Sequence, residues 1–507
     1  MNRGAVAAGH EGTAEAAAII LEAGGNAFDA ALAALCSACV VEPVLCSLGG
    51  GGFLLARQAG EKPRLFDFFV QTPKRKRPAE ELEFYPIQAD FGVTRQEFHI
   101  GLGTIAVPGI VRGLFDIHQR LGRLPMRTLV EPAIGQARLG IPINRLQASI
   151  FRIVEPIYLA TSDARRVYAS PLDPGRLPRE GERFCQPELA DSLEILAIEG
   201  PRLFYEGEMA RLLVEACRHR GGHLTLADLK DYRTIDREPL TRLYRGARIC
   251  TNPPPSAGGM LISFALALLD AVPLGELAFG APEHLGRLAQ VMELTNLARA
   301  ESAPAGDLLR QSRLDSFRRA LAGHPLSRRG TTHISVIDHQ GNAVSLSLSN
   351  GEGCGWLIPG AGLMLNNMLG EEDLNPGGFH QWEEDRRVAS MMAPTLAMDA
   401  DRLISLGSGG SNRLRTAILQ VLCNLIDFQL GAEAAVTRPR IHVERGLINI
   451  EPGFSSTTVK SLCAAYPEHQ LWSEPNLFFG GTHTLVLDRA GFSGAGDPRR
   501  GGVFRLA

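Results

Sequence analysis

No stretch of about 18 or more uncharged apolar residues occurs in the 507-residue chain, so no transmembrane helix is expected. A large excess of one charge sign is missing too. The 52 Lys and Arg stand against 55 Asp and Glu, and a net charge of −3 gives no preference for a polyanion. Neither nucleic acid nor a membrane is an expected partner. The one basic run, Lys74-Arg75-Lys76-Arg77, stops at Pro78 among loop signals and reads as a solvated loop. Metal-ligand spacing is lacking: the 13 His are scattered and no H-E-x-x-H occurs, so neither a metal nor a cofactor is implied. Cysteine is sparse, with nine in the chain, which fits a reducing compartment. Cys36 and Cys39 are spaced C-x-x-C but sit in the apolar run ALAALCSACVV without further ligands, and they read as buried thiols. The first residues, MNRGAVAAGHEGTAEAAA, have an apolar patch broken by His10 and Glu11; a signal peptide is not expected, and a cytoplasmic location is. No internal repeat is visible. What remains is a chain 45% hydrophobic and 21% charged, able to bury a large core.

The most informative segment begins at Gly330-Thr331 and reads TTHISVIDHQGNAVSLSLSN from Thr331. Apolar and polar residues alternate from Thr332 to Ile337 and from Val344 to Leu348, the signal of two half-buried strands. His339-Gln340-Gly341 between them suits a three-residue hairpin loop with Gly341 in the left-handed position. That register pairs Asp338 with Asn342 and sets Thr331 opposite Ser349; a slip by one residue would set it opposite Asn350. If the chain is cut before Thr331, one residue supplies a hydroxyl nucleophile and an α-amine with a pKa of about 7.7 to 8, fit to act as its base near neutral pH. A Thr-Thr pair at a strand start is also what β-propensity alone produces.

A second segment, GSGGSN at 407 to 412, feeds RLRTAILQVLCNLIDF, whose apolar residues recur at helical spacing, with Asn412 or Ser411 fit to cap it. Glycines at a helix start expose backbone N–H groups at the positive end of the helix dipole. No Lys-Ser/Thr pair follows Gly409 and Gly410, so the phosphate-loop pattern fails and an oxyanion hole is the better use. A plain tight turn is the alternative.

Together with GGNAFDAA (24 to 31), LGGGGFL (48 to 54), AVPGIV (106 to 111), NPPPSAGG (252 to 259), LNNM (365 to 368), MAPT (392 to 395) and GDPRRGG (496 to 502), these segments make the chain resemble the γ-glutamyltranspeptidases over nearly its whole length. The resemblance implies an α+β fold, a four-layer αββα sandwich of the N-terminal-nucleophile hydrolases. It implies one domain over 1–507, cut into a large subunit (1–330) and a small subunit (331–507) that stay together, acting on a small-molecule amide or peptide. It makes Thr331 the nucleophile, Ser349 the partner hydroxyl and Gly409 with Gly410 the oxyanion loop; ungapped alignment shifts that pair to Gly410 and Ser411.

The departures bear on specificity. Phe69 stands where the family has the arginine that grips the α-carboxylate of a glutamyl group, and a phenyl ring cannot replace a guanidinium fork. Of two adjacent carboxylate-binding serines Ser390 remains and Met391 replaces the other; Gly351 and Met368 replace α-amine contacts, while Glu371 is retained as an acidic one. The segment between Glu371 and Ser390 is short, which implies an open site with Phe379 and Trp382 at its edge. Cys354 lies close in sequence, but nothing beside it would activate a thiol. His333 reads as a packing residue. Helices are expected at 205 to 219 and 283 to 300, Pro253-Pro254-Pro255 as a rigid loop that the resemblance sets near the site wall, and Ala303 to Arg329 as a tail leading to the cut. The function expected is cleavage of a γ-glutamyl or related amide through an acyl-enzyme. The rivals are a glutaryl or cephalosporin-type acylase, and an unprocessed homologue that only binds.

Overall fold

The computed structural model describes residues 2–90, 95–301, 331–375 and 377–507; Gly330 and the stretch from Ala303 to Arg329 lie outside them. Two sheets organise the chain. Their strands are β1 (Gly4–Ala8), β2 (Gly51–Arg57), β3 (Arg64–Phe68), β4 (Ile235–Arg237), β5 (Leu240–Tyr244), β6 (Ala247–Thr251), β7 (Thr332–Asp338), β8 (Ala343–Ser349), β9 (Thr395–Met398), β10 (Leu403–Gly409), β11 (Gly481–Asp488), β12 (Gly491–Ala495) and β13 (Val503–Leu506). The first sheet runs β13-β1-β7-β8-β2-β3-β4 and the second β12-β11-β10-β9-β6-β5. Both mix strands from before and after Thr331, and every neighbouring pair in them is antiparallel.

Period-two alternation divides the residues of the first sheet between two cores. Val6, Ala8, Ile334, Val336, Leu346 and Leu348 share one core with α1 (Glu11–Glu22) and α2 (Ala27–Val41). Ala5, Ala7, Phe53, Leu55 and Ile337 share the other with Ile404 and Leu406 of the second sheet and with α3 (Ala257–Leu269), α4 (Pro282–Glu301) and α5 (Arg413–Ile426). The result is a mixed helix and sheet architecture. α2 is buried along its entire length, which an alanine-rich sequence allows because small side chains let neighbours approach closely. Asn26 starts it with a capping box: its side chain accepts from the Asp29 N–H and the Asp29 carboxylate accepts from the Asn26 N–H. Gly24 and Gly25 lie in the break between α1 and α2.

Hydrogen bonds sew the two sheets together. Ser405 Oγ donates to Ser335 Oγ (3.0 Å) and the Val344 carbonyl (2.7 Å), Ser345 Oγ donates to the Leu406 carbonyl (2.9 Å), and Ser335 Oγ donates to the His483 carbonyl (3.1 Å). Each is worth about 1 kcal/mol net, but an orphaned partner in this dry layer costs more, so they fix which residues face each other. The helix expected at 283 to 300 is Pro282–Glu301, whereas that expected at 205 to 219 is two, Arg202–Tyr205 and Glu208–Arg220, broken at Gly207. Among the described residues no helix is long and apolar enough to cross a membrane.

Candidate active site

The β7–β8 hairpin carries the site. Its turn is held by Asp338, whose carboxylate accepts from the N–H groups of Gln340 (2.9 Å) and Asn342 (3.0 Å), while Gly341 takes φ 81 as the loop requires. Asp338 pairs with Asn342 and Thr332 with Leu348, so the next position outward sets Thr331 against Ser349. The alternation turns the side chains of residues 331, 333 and 335 to the second sheet, as the His333 ring against Gly407 and the Ser405–Ser335 bond record. Thr331 is 5% exposed and Ser349 6%, and Ser349 Oγ accepts from the Gly351 N–H at 3.2 Å.

The carbonyl of Thr331 meets the second sheet at Gly409, where a Cβ would overlap it. Gly409 ends β10 opposite Gly481; Gly410 then takes φ 123 and Ser411 φ 52, turning the chain into α5. The glycine segment and the hairpin end thus come together, as the sequence expects. The capping expectation fails: Asn412 occupies the N-cap position with helical backbone angles and makes no side-chain cap bond, its Oδ1 accepting instead from Arg299 (2.9 Å). Ser411 Oγ donates to Asp373 Oδ2 at 3.0 Å.

Behind the hairpin end lie two groups that the motif reading passes over. Arg500, 6% exposed, donates from Nη1 to the Thr331 carbonyl at 3.2 Å, and burial lowers its pKa to about 10 against the pull of Asp497 and Glu42. Glu42, at the end of α2, accepts from the Thr332 hydroxyl (2.7 Å) and the Thr13 hydroxyl (2.9 Å); burial pushes its carboxyl pKa up. Arg500 stands inside GDPRRGG and Glu42 just after the apolar run of α2, so both were in view. Only their convergence on Thr331-Thr332 was not.

The residues at the proposed acyl side differ in setting. The Phe69 ring, 1% exposed, stacks on Phe53 with centroids 5.3 Å apart, and its backbone N–H donates to Asp67 (3.0 Å). The nearby guanidinium of Arg387 is engaged with the Phe69 carbonyl, the Tyr232 hydroxyl and the Asp67 carboxylate. Met368 and Met391 are buried in the same apolar cluster as Phe69. A side chain at Gly351 would overlap Asn367 Oδ1 and Glu371 Oε1, so those two groups fill the space beside it. Ser390 Oγ accepts from the Met392 N–H (3.0 Å), and its carbonyl accepts from Ser256 Oγ (2.7 Å) after the Pro253-Pro254-Pro255 loop.

The aromatic edge packs locally. Phe379 lies 4.4 Å from His99 and 5.3 Å from Phe84 between ring centroids, and Trp382 stands edge-on to His223 with Lys76 over its face. The basic run is bound to the body too, Lys74 pairing with Asp231 and Arg77 with Glu81. Cys354 is buried, its thiol pKa pushed up to about 12 by desolvation, and its Sγ donates to the Trp356 carbonyl; it has no nucleophile character. His333 is held neutral by burial between Ser347 and Ser335, a packing role. Cys36 and Cys39 are buried, as expected.

The family model for gamma-glutamyltranspeptidase matches residues 13–506. An acylase ACY 1 proenzyme of a Pseudomonas species is 31% identical over 522 aligned residues, 97% of this chain and 91% of that one. A glutathione hydrolase proenzyme of Pseudomonas aeruginosa is 31% identical over 479, 87% of this chain and 83% of that one. The crystal structure of cephalosporin acylase from Bacillus halodurans is similar at a TM-score of 0.85 and 25% identity, covering 100% of this chain and 96% of that one. The chain is therefore an enzyme of the hydrolase kind and belongs to the gamma-glutamyltranspeptidase family.

Proposed function

We propose that the chain is a self-processing amidohydrolase with the four-layer αββα architecture of the N-terminal-nucleophile hydrolases. Thr331 Oγ attacks the Gly330 carbonyl, an N-to-O shift gives an ester, and water cleaves it to leave a Gly330 carboxylate and a free Thr331 amine. The large and small subunits stay together because their strands interleave in both sheets.

In turnover the Thr331 amine takes the proton of Oγ, and Oγ attacks the amide carbon of the donor. The oxyanion faces the backbone N–H groups of the Gly409–Ser411 turn; such a donor is worth about 3 to 4 kcal/mol where one has been removed. The leaving amine departs with the proton that the Thr331 amine received, and water or an acceptor amine resolves the acyl-threonine. Ser349 orients the nucleophile from across the hairpin. Arg500 holds the Thr331 carbonyl, fixing the backbone from which hydroxyl and amine both project. The observation that carries this reading is the hairpin register, which sets one buried hydroxyl against another where the sheet meets the glycine turn.

The favoured donor is an amide whose acyl part lacks a free α-amino acid headgroup, such as a glutaryl amide. A glutaryl group keeps the carboxylate of a γ-glutamyl group and lacks only its α-amine, so Phe69 and Met391, buried and apolar, disfavour both donors alike; what separates the two is Gly351 and Met368, which give an α-amine no amide or carboxylate partner. Relatives named as an acylase and a cephalosporin acylase stand beside a glutathione hydrolase, so the choice rests on the residues of the pocket. Brief reaction with a glutaryl anilide, acid quench and peptide mass mapping test the mechanism. A glutaryl adduct on Thr331 supports it, and an adduct on any other residue, Cys354 included, overturns it.

A further inference from the structure

Three consecutive positions from the last residue of β10 treat a side chain differently. At Gly409 a Cβ would overlap the Thr331 carbonyl, and at Gly410 it would press on Arg500 Nη2 (3.2 Å) and Gly480 Cα (3.3 Å). The third position is not glycine. Ser411 takes φ 52, a left-handed conformation in which its Cβ carries a steric cost that glycine would avoid. A turn that needed only this geometry would be met more cheaply by glycine, so the serine side chain has a use there.

That use is visible. Ser411 is 8% exposed and its Oγ donates to Asp373 Oδ2 at 3.0 Å, across 38 residues of sequence. Asp373 sits in the short turn after Glu371, and that turn is closed by the Glu371 carbonyl, which accepts from the Leu374 N–H (3.2 Å) and the Asn375 side chain (2.7 Å). Asp373 is therefore tied to the segment that brings the Glu371 carboxylate against Gly351. On the other side, Arg299 holds the Asn412 side chain (2.9 Å).

We propose that Ser411 and Asp373 are positioning residues forming a clasp, which holds the turn beneath Thr331 in its left-handed form and joins it to the Glu371 segment beside the acyl pocket. Resting on the reading of Thr331 as nucleophile, the clasp couples two jobs through one hydrogen bond: the aim of the N–H groups toward the oxyanion, and the placement of the wall that the acyl chain meets.

The roles of strain and hydrogen bond separate by mutation. Ser411→Ala keeps the Cβ that disfavours φ above zero and deletes the clasp, so the turn relaxes. Its kcat falls about tenfold or more with KM for the donor changed less than about threefold, since an oxyanion contact acts in the transition state. Ser411→Gly deletes the clasp and the strain together, so it stays at least about fivefold more active than Ser411→Ala. Asp373→Ala follows Ser411→Ala, and Asp373→Asn, which keeps an oxygen acceptor, regains activity over Asp373→Ala.

The experiment is kcat and KM on a glutaryl anilide for the wild type, these four variants and Thr331→Ala, normalised to active sites counted from the acyl-enzyme burst. The order Gly above Ala at 411, with Asn above Ala at 373, supports the clasp. Ser411→Ala within twofold of wild type, or Ser411→Gly as slow as Ser411→Ala, overturns it. If Ser411→Ala does not mature, the pair at 373 decides, and Asn no better than Ala overturns the clasp. Turnover by Thr331→Ala instead overturns the nucleophile reading beneath it.

Discussion

Arg500 Nη1 stands 3.2 Å from the carbonyl oxygen of Thr331, a charged donor from the last turn of the chain on the backbone of the first residue of the hairpin. A hydrogen bond with an ionised partner is worth about 1.5 to 3 kcal/mol. Arg500→Met is therefore expected to slow turnover by one to two powers of ten, and Arg500→Lys, which keeps the charge but not the fork, by less. Single-turnover rates on mature protein check this. Equal rates for wild type and Arg500→Met would mean that the contact does not position Thr331.

Ser349→Ala is expected to slow both chain cleavage and turnover by about 10²-fold or more, in the range of positioned proton-transfer groups. The two rates are read separately, cleavage by gel densitometry on fresh protein and turnover by anilide release. Unchanged values for both would remove Ser349 from the mechanism.

Donor choice follows from Gly351 and Met368, which put no amide or carboxylate where an α-amine would need one; the carboxylate that Phe69 and Met391 leave unpaired is common to both donors. The glutaryl anilide is expected to exceed the γ-glutamyl anilide in kcat/KM. A preference for the γ-glutamyl compound by tenfold or more, about 1.4 kcal/mol, would contradict this. Because the Phe69 ring packs against Phe53, Phe69→Arg paired with Phe53→Ala is the fairer test of a gained carboxylate site than Phe69→Arg alone.

Acid is expected to destabilise the fold through its buried histidines. Burial lowers the pKa of His483 to about 4 and that of His333 well below 6.5, so both are neutral in the folded state. A base whose folded pKa is depressed contributes stability present above its unfolded pKa, about 6.5, and lost as pH falls toward the folded value. His483 then withdraws on the order of 3 kcal/mol by pH 4, and His333 acts in the same direction. Calorimetry should show Tm level above pH 7 and falling steeply from 6.5 to 4. A flat Tm across that window would contradict the buried neutral state.

Much of the site was legible because its signals are local. The hairpin register follows from alternation and a three-residue turn, both within 19 residues of Thr331. The glycine segment before α5 is likewise read from neighbours in sequence. Convergence across the fold was not legible: Glu42 meets Thr332 from 290 positions away and Arg500 meets Thr331 from 169. Nothing in either local pattern says which carbonyl or hydroxyl it will find. The single helix expected at 205 to 219 overlooked Gly207, and the cap expected at Asn412 overlooked the competing claim of Arg299.

The central claim is that Thr331 is made an N-terminus by the chain itself. Purified protein, freshly made and then incubated without added protease, is to be resolved on denaturing gels, and the smaller band sequenced from its N-terminus. The expected result is two fragments of about 330 and 177 residues, the smaller reading Thr-Thr-His-Ile-Ser, with Thr331→Ala remaining one full-length band. A wild-type chain that stays intact, or a Thr331→Ala variant that is cut at the same bond, would contradict it.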